Sequence, residues 1–496
     1  MDPVAVDAPV ARLPPEILTL IFSILSSIDR PQSKDWAPIR LKHYLGWVTV
    51  THVCQRWRNV ALHNPVLWAS DIALPSVLGH LWAAEFLIRA QSTPLELSSS
   101  SLDYDEIDID ISFILANIAR TCAITDLHLN SYNIRHLCMP APLIHTLNFR
   151  ILWNEDDREL DPLPDDLFGG AAGLPALRHL SVSAYAEISW TPLLLEQLVS
   201  VSIAMYLHMP GAALASMFAA LGRMRALERL ALRLNVTPED IHEVPLTLLP
   251  ALQHFSLGTI VPHASLILAR LALPAGVRVH FTATLLMTAH VDELPALFPA
   301  MTACVDARAT PIVRVEVGLA PVDSEAPMAE RLVQVGAWRH GELDGAPALM
   351  VRFQGWTHVP RMLGSLPSAH LEALAIGGRV SDAAWLNVLG GAPRLRHVAV
   401  KGGAVHPFCD ALEHTPGVLS ALCALVIDVH AHPLAETVVG DALLRCLAAR
   451  ARAGTLLREL EVVGYDEDQM WARALQAAVP GLAIRWRWEA EPRWDD

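Results

Sequence analysis

The sequence predicts an α/β protein in which a small helical module at the N-terminus precedes a long array of strand, turn and helix units. Three observations carry that reading. From about residue 120 onward a six-residue pattern recurs, with apolar residues at its first, fourth and sixth positions. Segments of helical character separate its copies. Ahead of the array, Ile17, Leu18, Ile21, Phe22 and Leu25, and then Trp47, Val50, Cys54, Trp57 and Ala61, fall at helical rather than alternating spacing.

The pattern reads ITDLHL at Ile124, IHTLNF at Ile144, LRHLSV at Leu177, LVSVSI at Leu198, LERLAL at Leu227 and LQHFSL at Leu252. It continues as IVRVEV at Ile312, LEALAI at Leu371, LRHVAV at Leu395, LCALVI at Leu422 and LRELEV at Leu457, with degenerate copies GVRVHF at Gly276 and ALMVRF at Ala348. The fourth and sixth positions alternate as a half-buried strand requires, and the first turns inward where the chain approaches the strand. Most copies start roughly 20 to 35 residues apart, the period of stacked repeat architectures. Between them GAALASMFAALGRM, DAAWLNVLGGA, VVGDALLRCLAARAR and DQMWARALQAAV read as helices, several followed by Gly or Pro. Such units cannot bury their apolar faces alone, and stacking gives one continuous core with a parallel sheet on the inner side. Residues 121–496 thus resemble the divergent form of the leucine-rich-repeat family. Leu227, Leu230, Leu232 and Asn235 fit its L-x-x-L-x-L-x-x-N pattern, whereas most other units lack the Asn or Cys of the turn. The resemblance implies an irregular leucine-rich-repeat-like α/β solenoid.

Residues 11–75 read as the helical module. RLPPEILTLIFSIL begins with Leu13 and Pro14, and Pro in a helix's first turn removes an N–H that would be unpaired there. The irregular segment Asp29 to His43 follows. Next comes a helix with Trp47, Val50, Cys54, Trp57 and Ala61 on one stripe, stopped at HNP and followed by Leu67 and Trp68. Residues 1–10 read as a tail, and 76–120 as a helical connector. LPPEILTLIF, VTHVCQRWRNVAL and NPVLW, in that order, resemble an F-box of the fungal variety. The segment Asp29 to His43 departs from it by its length, and Gln55 replaces a basic residue of the family's core. The resemblance implies binding to the Skp adaptor, through it to cullin and RING subunits, and selection of a protein substrate by the repeats. Leu13, Pro14, Ile17, Leu18, Ile21, Phe22, Val50, Cys54 and Trp57 are the adaptor-facing candidates it implies. For each tryptophan, packing inside the module and contact with a partner stay open.

Composition narrows the function classes. The formal net charge is -15, with 37 Lys+Arg against 52 Asp+Glu, which lacks the electrostatic footprint of general nucleic-acid binding. The seven cysteines show no Cys-x-x-Cys spacing and are expected as reduced, buried thiols. The N-terminal stretch has no basic segment leading into an apolar one, which predicts a cytoplasmic or nuclear address. Two windows without charged residues, Gln197 to Gly222 and Val244 to Ala269, are interrupted by Pro210 and by Pro245, Pro250 and Pro262, so neither predicts a membrane span.

No catalytic residue, cofactor or metal site is expected. His430 and His432 share a strand face without further ligands at metal spacing, and the carboxylates Asp103, Asp105, Glu106, Asp108 and Asp110 lack the Gly and Glu of a calcium loop, so they are expected to face water. No G-x-S-x-G or G-x-x-x-x-G-K-[ST] motif occurs, and GGAAG at Gly169 reads as a loop. The open strand positions are the third, fifth and seventh of the pattern. They include Arg150, His179, Arg229, Arg233, His254, His397 and Lys401, a modestly basic set that favours an acidic or phosphorylated partner. The expected function is a non-enzymatic substrate-recognition subunit of a cullin-RING ubiquitin ligase. A repeat scaffold acting outside ubiquitination is the alternative, and an enzyme hidden in the repeats the third reading.

Overall fold

In Leu174-Pro175-Ala176-Leu177 the Leu177 N–H bonds the Leu174 carbonyl at 3.2 Å, closing a turn with proline at its second position. Both leucines are fully buried, and the strand begins two residues later. The same bond joins Leu252 to Leu249 and Leu395 to Ala392, again around a proline. The first apolar position of the six-residue pattern is therefore the corner that pins the chain before the strand, and the fourth and sixth are the strand's buried face. A second feature recurs with it. The His145 carbonyl accepts from both Arg178 and His179 at 2.9 Å, the Arg178 carbonyl from Val199 and Ser200, and the Val199 carbonyl from Glu228 and Arg229. Each strand start is thus tied to the preceding one at the same offset.

The computed structural model describes residues 13–31, 45–98 except 71, 107–152 except 131–132, 164–185 except 165, 196–283 except 243 and 275, 311–319, 332–340, 345–354, 359–378, 392–429, 436–464 and 470–487. The chain divides into two compact units, residues 1–229 with 233–245 and residues 230–232 with 246–496.

The first unit opens with helices α1 (Pro15–Ile28), α2 (Gln55–Leu62) and α3 (Pro65–Ala69). Strands β1 (Ile72–Ala73), β2 (Leu95–Ser98), β3 (Thr121–Leu129), β4 (Thr146–Ile151), β5 (His179–Ala184) and β6 (Ser200–His208) then pair in chain order, every pair parallel. β7 (Arg229–Asn235) follows. Residues 76–120 contain α4 (Pro75–Leu78), α5 (His80–Ala90) and α6 (Ile107–Asn117), but β2 lies among them, so the expected helical connector already carries sheet. Leu95 and Leu97 alternate with exposed Glu96, too short a run to show the six-residue pattern. Asp110 corrects a second expectation. Instead of facing water it is buried on α6 and accepts hydrogen bonds from Ser76, at 2.9 Å from N–H and 2.5 Å from Oγ.

Later in this unit come α7 (Gly170–Gly173), α8 (Gly211–Leu221) and α9 (Pro238–His242). Asp240 on α9 accepts from the Thr237 N–H at 3.0 Å, from Thr237 Oγ1 at 2.6 Å and from the Gly211 N–H at 2.9 Å, with His208 Nε2 at 3.3 Å. These donors, the Thr237 hydroxyl foremost, hold its carboxyl below the usual value.

The second unit has β8 (Thr247–Leu248), β9 (His254–Thr259), β10 (Leu271–Ala272), β11 (Arg278–Ala283), β12 (Ile312–Leu319), β13 (Leu332–Arg339), β14 (Leu349–Gln354), β15 (Ala373–Gly377), β16 (His397–Lys401), β17 (Ala424–Asp428), β18 (Glu459–Val463) and β19 (Ala483–Arg487). β8 and β10 form a small parallel pair. The large sheet does not follow chain order throughout. β9 pairs with β11, β11 with β14, β14 with β13, β13 with β12 and β12 with β15, after which β16 to β19 resume in sequence. Among the described residues, only the two pairings of β13 are antiparallel. Helices Val405–His414, Glu436–Arg452 and Met470–Ala478 lie between the last strands. Buried Arg450 donates to the carbonyls of Pro416, Val418 and Leu419, which offsets part of the cost of burying its charge. Of the helix expected at 382–392, all but Ala392 lies outside the described residues.

Two outcomes follow from this architecture. Leu395→Ala, which empties a fully buried corner, is expected to destabilise the protein by about 2–5 kcal/mol, read as a lowered denaturant midpoint. Asp240 has a depressed pKa, so its contribution is present above the ordinary carboxylate value of about 4 and is lost as pH falls through the folded value. Thermal unfolding followed from neutral to acid pH should show this loss in the native chain and a shallower acid limb in Asp240→Ala.

Candidate functional site

Among the described residues of the N-terminal module, α1 carries most of the exposed large apolar side chains. Pro15 opens it, Glu16 suits its positive end, and the N–H groups of Ile17 and Leu18 both reach the Pro14 carbonyl at 3.1 Å. It carries two apolar stripes. Leu18 and Phe22 point inward with no exposed surface. Ile17, Leu20, Ile21, Ile24 and Ile28, at helical spacing along the other side, are 40 to 75% exposed. That stripe is about 16 Å long at 1.5 Å per residue. Val53 is a further exposed apolar side chain of the module, 61% open.

The expected single helix from Trp47 to Ala61 is two helices. Gly46–His52 is a 3-10 helix, Cys54 is extended (φ -156, ψ 167), and α2 starts at Gln55. The run Trp47 to Val53 is rich in β-branched residues, which weaken an α-helix, and Thr49 and Thr51 bond back to the carbonyls of Gly46 and Val48 at 2.9 and 2.8 Å. Cys54 then caps α2, its Sγ accepting the Trp57 N–H at 3.5 Å. Arg56 donates to the Leu13 carbonyl and Trp57 packs on Phe22 with ring centroids 5.3 Å apart, so α2 holds the start and middle of α1. Gly46 holds its end. With φ +51 its N-terminal side meets the chain leaving α1, where an added Cβ would lie 2.4 Å from the Asp29 carbonyl oxygen. The Trp47 N–H bonds that same oxygen at 2.8 Å.

The other tryptophans serve the interior. Trp47 and Trp68 are buried edge-to-face at 4.9 Å, Phe86 of α5 meets them at 6.0 and 5.0 Å, and Trp68 Nε1 donates to the Ala61 carbonyl at 2.7 Å. The Arg89 guanidinium lies 4.3 Å from the Trp68 ring centre. Three aromatic rings thus join the helical module to the segment beyond it.

Among the adaptor-facing candidates, the structure places Pro14, Ile17, Ile21 and Cys54 on the surface, Leu13 and Trp57 half-buried, and Leu18, Phe22 and Val50 in the interior. Leu20, Ile24, Ile28 and Val53 are exposed apolar residues that the sequence reading did not single out. Their signal was present, since nearly all of α1 is apolar, but periodicity alone does not say which stripe faces in. The Asp29 to His43 segment lies mostly outside the described residues.

The open strand positions divide between the units. Arg150, His179, Arg229 and Arg233 belong to β4, β5 and β7 of the first unit, and all three arginines are exposed. Burial first, and then the charges of Arg229, His145 and Arg178, hold His179 below the usual histidine value, so it is neutral at pH 7. Tyr185 and Tyr206 stack at 4.5 Å with 14° between their planes, and Arg233 covers Tyr206 at 5.3 Å. His254, His397 and Lys401 lie on β9 and β16 of the second unit, where Lys401 pairs in register with Asp428. There Glu316, next to Arg314, is pushed above the usual carboxylate value by burial.

Of the described cysteines, all free, only Cys409 and Cys446 are buried; Cys54 is exposed and Cys122, Cys138 and Cys423 are intermediate, which corrects the expectation of uniformly buried thiols. The mutual hydrogen bond of Cys409 and Cys446, then burial, raises the Cys409 thiol well above the usual value. His430 and His432 lie outside the described residues. Among those described, no group of three or more His, Cys, Asp or Glu could hold a metal ion, and no helix is long and apolar enough to cross a membrane.

Compared with known families, residues 10–70 match the one described as F-box-like. These residues are an F-box-like domain. No curated protein matches the chain. Among solved structures, one chain of "Crystal structure of Rad7 and Elc1 complex in yeast" matches at 11% identity over 83% of this chain and 88% of that one, with a TM-score of 0.24. At that score the likeness carries neither fold nor function.

Gly46→Ala places a side chain against backbone in a left-handed conformation. It should lower stability by about 1–3 kcal/mol, seen as a reduced thermal midpoint of the full chain.

Proposed function

We propose that this chain is a non-catalytic substrate-recognition subunit of an SCF-type cullin-RING ubiquitin ligase. Its F-box-like domain binds a Skp-family adaptor, and the adaptor connects it to cullin and RING subunits. The single observation that carries the reading is the stripe of Ile17, Leu20, Ile21, Ile24 and Ile28 left in water on an F-box-like domain. Exposed apolar surface of this extent has a physical use as an interface, where burying the part of each side chain still in water contributes roughly 1 kcal/mol. Pro14, Cys54, Val53 and Trp57 supply the rim of that contact.

In the same reading the domain is of the fungal F-box variety. The strand and helix units that follow are a divergent leucine-rich-repeat-like solenoid, and their open strand faces select a protein substrate for ubiquitin-dependent degradation. The subunit acts in the cytoplasm or nucleus. The recurring buried corner residue and the parallel pairing at constant offset support a repeat origin.

Affinity purification of the full chain should bring down the adaptor, cullin and RING subunits together. Ile17→Glu combined with Ile21→Glu should reduce adaptor capture at least about tenfold, with an unchanged melting temperature because both side chains are on the surface. Full capture by this variant overturns the assignment of the α1 face. Adaptor without cullin would make the chain a scaffold outside ubiquitination.

A further inference from the structure

The open face of β4 to β7 carries a charge pattern opposite to that of the whole chain. Arg150, Arg229 and Arg233 are exposed there, in a protein of formal net charge -15. None of the three forms an ion pair among the described residues. Asp240, beyond β6 and β7, is already held by Thr237, Gly211 and His208.

Register places these cations. Arg150 is level with Ser183 and Ser183 with Ala204. The Arg229 N–H reaches the Val199 carbonyl as the Ser200 N–H reaches that of Arg178, so the same offset sets Arg229 beside Ser200 and Arg233 beside Ala204. Arg150 and Arg233 therefore stand at the two ends of one row, three strand spacings or about 14 Å apart. Between them the row holds only Ser183 and Ala204, the neighbouring row holds Asn148, Ser181 and Ser202, and Ser200 lies one row further, level with His179. The Tyr185 and Tyr206 stack borders this floor and props Arg233 over Tyr206.

We propose that this face receives an extended peptide segment lying across the strands, whose Asp or Glu side chains four residues apart pair with Arg150 and Arg233. An extended chain advances about 3.4 Å per residue and returns to the same side every second residue, so positions i and i+4 span about 13.6 Å on one face. The small floor lets its backbone approach, and the serine hydroxyls and the Asn148 amide are donors for its carbonyls. The arginines stand singly instead of converging, which suits one carboxylate each, held bidentately, better than a doubly charged phosphate. Arg229 adds to the attractive field. The proposal rests on the substrate-selecting role above and gives that role a chemical class.

The test is fluorescence polarisation with the full chain and a labelled peptide Ser-Gly-Glu-Ser-Thr-Ser-Glu-Gly-Ser. Binding is expected to weaken with salt and to fall at least about tenfold when both glutamates become glutamine, or when they stand two residues apart. Arg150→Gln with Arg233→Gln should give a similar loss, while Arg223→Gln, away from this face, leaves binding unchanged. Equal binding of the glutamine peptide, or an unaffected double variant, overturns the proposal. So does a peptide with phosphoserine at both positions that binds about tenfold tighter than the glutamate one. Adaptor capture by the native chain keeps the two readings apart: if the native chain captures the adaptor but does not bind the glutamate peptide, only the acidic-segment proposal falls.

Discussion

The structure depends on a corner residue more than on any strand. Wherever Leu177, Leu252 or Leu395 stands, its N–H closes a tight turn and its side chain fills the interior, so the chain is pinned in position before the strand begins. After Leu177 and Leu395 the two following N–H groups then share a single carbonyl at the entry to the neighbouring strand. Burial and hydrogen bonding at these corners set the offset between neighbours, and that offset decides which side chains line up across the open face. The row from Arg150 to Arg233 is one product of this constraint.

In the N-terminal module the controlling contact is aromatic. Trp47, Trp68 and Phe86 supply a core that does not use the outer side of α1, while Arg56, Trp57 and Gly46 hold that helix at its start, middle and end. A helix fixed at three points can keep five large apolar residues in water without turning to bury them. Rigidity of this kind lowers the ordering cost of a partner's docking.

Much of this was legible in the sequence. The six-residue pattern located most strands of the sheet, because alternation and a preceding buried corner are both local properties. β1 and β2 escaped because they are too short to repeat the pattern. β13, where Val333, Val335 and Ala337 alternate in the interior, was passed over as well. The pairing of β11 with β14 and of β12 with β15 had no local signature, since the pattern says that a strand has a buried face and nothing about its neighbour. At the N-terminus the apolar character of α1 was plain, but which stripe points inward is decided by Phe22 meeting Trp57, a contact between segments far apart in the chain. The break at Cys54 was written in the β-branched run before it, whose helical spacing masked its weak helix propensity.

The reversed order of β12, β13 and β14 bears on how the second unit is made. In a sheet that grows in chain order, each strand covers the edge left by the one before it as synthesis proceeds. Here the edge of β11 waits for β14, and so stays open until Leu349 has left the ribosome. β12 meanwhile is paired through β13 before its far edge is closed by β15. An open apolar strand edge is a template for pairing with other chains. The interval between β11 and β14 therefore leaves that edge open to pairing with other chains during synthesis.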